Sequence, residues 1–235
     1  MRATAAALAL MLVAAPAWAG CRVALDIGHS RDRPGAVSAS GKGEWSFNAA
    51  LALRVEAALR TAGLDVVVLN HDGAALGLTQ RPQKAAALGA TLFLSLHHDS
   101  VQPRYLVNGS TDRFAGFGLF LSGENPRSEE SALVAITLAD RLLAAGFRPS
   151  LHHAEAIPGE NRPLLDAGRG IYRYDGLAVL RHATMAALLF EAGVIVNPAE
   201  EKTLSTDASR DRMAGAIVAA VRDHCTRVEN SAAIR

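Results

Sequence analysis

Apolar and polar positions alternate between two rhythms along this chain. Short, nearly unbroken apolar runs occupy residues 21–27, 64–69, 91–96 and 187–190. Such runs predict strands covered on both faces, as in a parallel sheet. A fifth short strand is predicted at 118–121. Between the runs the rhythm changes. Residues 45–62 place Phe47, Leu51, Val55 and Leu59 on one helical face, and Gly63 follows as a C-cap residue. Residues 78–88, 129–145, 198–204 and 209–224 read as further helices, the first two stopped by Gly89 and Gly146. The run at 177–180 is too short to decide between helix and strand. Strand alternating with helix predicts an α/β fold, a single domain with a mostly parallel (mixed) central sheet and helices on both faces.

Two stretches break the rhythm. Residues 101–115 form a polar loop with Pro103, Asn108-Gly109 and Thr111-Asp112. Residues 147–174 form the longest irregular segment, carrying His152-His153-Ala154-Glu155 and Gly159-Glu160-Asn161-Arg162. Long irregular segments are often functional. This one reads as a substrate-contacting loop, as a solvated loop, or as a second metal site built on His-His-x-Glu. Residues 229–235 read as a polar tail with no packing signal.

The N-terminus changes the picture of the mature protein. Met1-Arg2, an apolar stretch over 5–15 and Ala17-Trp18-Ala19 fit a signal peptide over residues 1–19. The apolar stretch is too short to span a bilayer, and the mature chain holds no other candidate for an integral membrane span. An uncleaved anchor is one alternative. Lipoprotein anchoring at Cys21 is another, although Trp18 stands where a lipobox wants Leu. Export to the periplasm is the expectation. Loss of Arg2 leaves 23 basic against 23 acidic residues, so no global charge favours nucleic acid. Cys21 and Cys225 lie at the two ends of the domain, and an oxidising compartment favours their pairing. The expected domain therefore covers 20–228.

Candidate chemistry sits where apolar runs end. The first strand leads through Gly28 to His29, the third to His97, and the last to Glu191. Glu44 opens the first helix, where a carboxylate suits the helix dipole. Each has a bland reading: a loop His bonded to backbone, a first-turn Glu, a carboxylate paired with an Arg. Strand-end side chains converge in the crevice of an open α/β sheet. Two His and one Glu there can hold zinc with a position left open. Glu191 follows four apolar residues, and a buried carboxylate needs a partner, a metal or a wet site. His98 and Asp99 are candidates to orient the site.

The order of these pieces resembles the zinc-dependent N-acetylmuramoyl-L-alanine amidases (amidase type 3 catalytic domain). The matching segments are Leu25-Asp26-Ile27-Gly28-His29, Gly43-Glu44-Trp45-Ser46-Phe47-Asn48, Thr79-Gln80-Arg81-Pro82, Leu94-Ser95-Leu96-His97 and Leu188-Leu189-Phe190-Glu191-Ala192-Gly193-Val194-Ile195-Val196-Asn197. The resemblance implies one zinc ion held by His29, Glu44 and His97, with Glu191 catalytic. It implies peptidoglycan or muropeptides as substrate, and hydrolysis between the muramoyl lactyl group and L-Ala of the stem peptide.

This chain departs from the family pattern in places. Ser30-Arg31 follows the first His instead of Gly-Gly, His97-His98-Asp99 replaces His-Ala-Asn or His-Ala-Asp, and Met185 stands for a common Pro. None removes a ligand. Only Ser122 to Ser128 fills the place where some cell-division members insert an inhibitory helix, so that form of self-inhibition is expected to be absent. No fused wall-binding module is expected either, and any regulatory protein partner is unknown. The rival readings are a zinc peptidase acting on another stem-peptide bond and a non-catalytic peptidoglycan-binding protein on the same fold.

Overall fold

The apolar runs become strands because both their faces are covered. In the computed structural model, which describes residues 20–233, strands β1 (Arg22–Ile27), β2 (Asp65–Leu69), β3 (Leu92–Asp99), β4 (Gly118–Leu121), β5 (Leu164–Asp166), β6 (Ile171–Arg173) and β7 (Ala186–Val194) form one sheet in the order β2-β1-β3-β7-β4-β6-β5. β2, β1, β3 and β7 run parallel. β4 pairs antiparallel with β7, and β5 antiparallel with β6. The single mixed α/β domain expected from the sequence is the one observed. The leader proposed for residues 1–19 lies outside the described residues.

Successive strand residues point to opposite faces, and each face has its own core. Val23, Leu25, Leu94 and Phe190 pack with Phe47, Leu51 and Val55 of α1 (Glu44–Thr61), Leu138 of α3 (Ser128–Ala144) and Ile217 of α6 (Asp207–Ala233). Ala24, Phe93, Phe120, Tyr172 and Leu189 pack with Ala85 of α2 (Gln80–Ala87) and Leu180 of α4 (Ala178–Arg181). The short run at 177–180 thus becomes mainly a one-turn helix. The last helix before α6 is α5 (Pro198–Leu204), capped by the Asn197 side chain, which accepts from the Ala199 and Glu200 amides.

The structure revises three expectations. β3 and β7 continue past their apolar runs, through His97-His98-Asp99 and through Glu191 to Val194. Backbone pairing continues there while polar side chains line the crevice. The irregular segment contains β5, β6 and a 3-10 turn at His152–Ala154. Each is only three residues long, too short to show a period. The tail expected from residue 229 is helical as far as Ala233. Its outer turns are exposed, so no apolar stripe marks them. Cys21 and Cys225 form the expected disulfide, with Cα atoms 5.3 Å apart. Its sulfur being in that bond, Cys21 has no thiol to acylate.

Candidate active site

Parallel strands deliver His29, His97 and Glu191 to one end of the sheet, and the start of helix α1 brings Glu44 beside them. After β1 the chain turns sharply, with Gly28 N–H donating to the Leu96 carbonyl (3.0 Å). A Cβ on Gly28 would stand 2.4 Å from His97 Nε2, so only glycine allows this approach. His29 adopts φ 65°, a left-handed conformation uncommon outside glycine. Arg81 holds it there. Its guanidinium donates to the carbonyls of His29 and Ile27 and to Asp26 Oδ1, each at 2.7 Å. Ser95 Oγ donates to the other Asp26 oxygen (2.7 Å). Asp26 and Arg81 are both buried, and removing one partner of such a pair costs about 3–5 kcal/mol.

Glu44 begins α1, where the positive helix end favours its charge. Its carboxylate lies between two imidazoles. Oε2 is 2.9 Å from His29 Nε2, and Oε1 is 3.0 Å from His97 Nδ1. Burial alone would raise the Glu44 pKa. The hydrogen bonds and charges of His29 and His97 outweigh it and hold the pKa well below the ordinary carboxylate range. Donor atoms of His29, Glu44 and His97 all lie within 4.8 Å of one another. A Cβ on Gly35 would meet Glu44 Oε2 at 2.4 Å, so glycine keeps this space open. Two imidazoles and a carboxylate in this array suit a metal ion with an open coordination position.

His98 faces inward. Its Nδ1–H donates to Asn48 Oδ1 (2.8 Å), and the Asn48 amide donates in turn to Glu44 Oε1 (3.1 Å). Burial presses the His98 pKa down to about 3, so the ring is neutral and serves to orient Glu44. Asp99, the other candidate orienter, turns away from this group. A register shift separates it from His97 on β3, and such irregularities re-aim side chains.

Glu191 lies opposite His97 in the β3–β7 register. Its Oε2 is shut off from solvent and has no hydrogen-bond partner. Burial, then the charges of Asp99 and Glu44, push its pKa well above the ordinary carboxylate range. A carboxyl group so placed is suited to take up and return a proton.

The family model for N-acetylmuramoyl-L-alanine amidase matches residues 23–223. The chain belongs to this family. Membership makes it an amide hydrolase acting on peptidoglycan. The amidase AmiA of Salmonella typhimurium is 28% identical to it over 210 residues, covering 83% of this chain and 73% of that protein. The solved catalytic domain of the amidase CwlV from Bacillus (Paenibacillus) polymyxa var. colistinus is 29% identical, with a TM-score of 0.66, covering 86% of this chain and 97% of that domain. The amidase Ami1 of Mycobacterium smegmatis shares the fold, with a TM-score of 0.71 at 24% identity and coverage of 90% and 100%.

Sequence reasoning brought together His29, Glu44, His97 and Glu191, and the fold places them side by side. His98 was expected to orient the site and does so through Asn48, whereas the roles of Arg81 and Asn48 were not foreseen. Arg81 stood inside a recognised segment, yet only the fold shows it holding the His29 turn. Asn48 was signalled by its place one turn after Glu44. Glu155 of the His-His-x-Glu spacing joins no histidine. It accepts from Tyr105 Oη (2.8 Å) and pairs with Arg113 (3.1 Å).

Proposed function

We propose that this chain is an exported, zinc-dependent amidase that hydrolyses the bond between the N-acetylmuramoyl lactyl group and L-Ala of the peptidoglycan stem peptide. The observation that carries the reading is Glu191, half-buried with its Oε2 shut off from solvent and unpartnered, opposite one member of a His–Glu–His array. The donor set fits zinc better than calcium or magnesium, which prefer all-oxygen ligation. His29, Glu44 and His97 would hold the ion.

Bound there, zinc would supply Lewis-acid polarisation of the scissile carbonyl, a more acidic water and a positive charge that favours ionised Glu191. Glu191 accepts the proton of the attacking water and returns it to the departing L-Ala amine. Asn48 and His98 keep Glu44 oriented, and Arg81 fixes the backbone that presents His29. Export is supported by the leader-like N-terminus and by the Cys21–Cys225 disulfide. Among the described residues no helix is long and apolar enough to cross a membrane.

The test is digestion of purified peptidoglycan with mass spectrometry of the products, with and without a chelator. The amidase reading expects metal-dependent release of intact stem peptide with a free L-Ala N-terminus. Release of shortened peptides instead would identify a peptidase.

A further inference from the structure

A second histidine–carboxylate group lies on the other side of Glu191. Asp99 Oδ2 is 2.8 Å from His153 Nε2 and 3.3 Å from His152 Nε2. The three donor atoms lie within 4.8 Å of one another. As at Glu44, one carboxylate stands between two imidazoles.

Both rings are fixed from behind. Ser150 Oγ is 2.8 Å from His152 Nδ1, and Glu160 Oε2 is 2.8 Å from His153 Nδ1. Gln102 Nε2 donates to the other Glu160 oxygen (2.8 Å). Outer partners of this kind set the tautomer of a metal-binding His and aim its free nitrogen inward. Asp99 Oδ1 accepts from the Ser100 amide (2.7 Å), leaving Oδ2 for the histidines. The His152 side chain is only 2% exposed, and its Nε2 has no hydrogen-bond partner. An unsatisfied buried polar atom is costly, and this one points at Asp99.

We propose that Asp99, His152 and His153 form a second divalent-cation site, distinct from His29–Glu44–His97, with Ser150 and Glu160 orienting its histidines. This goes beyond the proposed hydrolysis and does not depend on it. Two imidazoles and one carboxylate suit zinc or a similar transition metal. The site borders a cavity of about 140 Å³ lined in part by Phe120, His153, Glu160, Tyr174 and Glu191. A bound cation therefore stands where it can meet a substrate group.

The experiment uses the full chain, stripped by chelation and then titrated with zinc chloride in a calorimeter. Bound metal is counted by elemental analysis after gel filtration. The expected count is two per chain in the wild type and one each in His152→Ala and His97→Ala. A wild-type count of one that is lost in His97→Ala but kept in His152→Ala overturns this site and leaves the first standing. A count of one that is lost in His152→Ala but kept in His97→Ala supports this site and overturns the first. No bound zinc overturns both. Because His152 is buried, His153→Gln at the rim must repeat the loss, with circular dichroism confirming a folded chain. If His152→Ala fails to fold, His153→Gln assigns a wild-type count of one: loss of the ion supports this site and its retention overturns it.

Discussion

The two His–carboxylate–His groups flank Glu191, yet they rest on different supports. His29, Glu44 and His97 come from the end of β1, the start of α1 and the end of β3. These are rigid positions, locked from below by the buried Asp26–Arg81 pair. Asp99 shares β3 with His97, but its partners His152 and His153 sit on a 3-10 turn within a long connection. That turn is held by side chains: Ser150, Glu160 and, through Glu160, Gln102. Strand ends and a helix start, braced by buried side chains, carry one group, and a side-chain relay holds the loop that carries the other. The first should hold its geometry whatever occupies it. The second should depend on its neighbours one by one.

Four changes test this contrast. The largest effect is expected from His97→Ala, which should abolish peptidoglycan hydrolysis and remove one zinc; retained hydrolysis with unchanged metal content would break the assignment of the first group. Glu191→Gln comes next. It should lower kcat by about 10²- to 10⁴-fold while metal content stays at the wild-type value, and turnover near wild type would exclude Glu191 as the base. Arg81→Met should lower stability by about 3–5 kcal/mol, read by urea denaturation, and loosen zinc at the first group only. Equal loosening at both groups would show that they share one support. Gln102→Ala is the mildest. It acts only through Glu160 and should weaken zinc at the second group by about 10- to 100-fold, read by calorimetry. An unchanged affinity would show that the His152–His153 turn holds without its relay.

The same contrast explains what the sequence could reveal. The sheet was legible because a strand buried on both faces leaves an unbroken apolar run. His29, Glu44, His97 and Glu191 were legible because each adjoins a strand or helix whose pattern marks its end. Asp99 was expected, with His98, to orient the first group; it turns to the other histidines instead, since its direction depends on a register shift that no residue type announces. His152 and His153 stood out by composition, but their nearest acidic residue in sequence, Glu155, pairs with Tyr105 and Arg113. Glu160, five residues further on, returns to His153 because the loop folds back on itself, with Arg162 N–H donating to the His153 carbonyl (2.7 Å). β5 and β6 were illegible because strands of three residues carry too few positions to alternate.

The disulfide between Cys21 and Cys225 spans 204 positions and so encloses nearly the whole domain in one covalent ring. By loop-closure entropy such a ring disfavours the unfolded chain by about 5 kcal/mol. It also changes what a protease can do. A single cut in the exposed stretch around Pro158-Gly159 would open the ring without releasing a fragment. Both pieces would stay tethered where the start of β1 meets the C-terminal half of α6, free to re-pair. Two cuts, or one cut and a reductant, would be needed before any part of this fold could diffuse away.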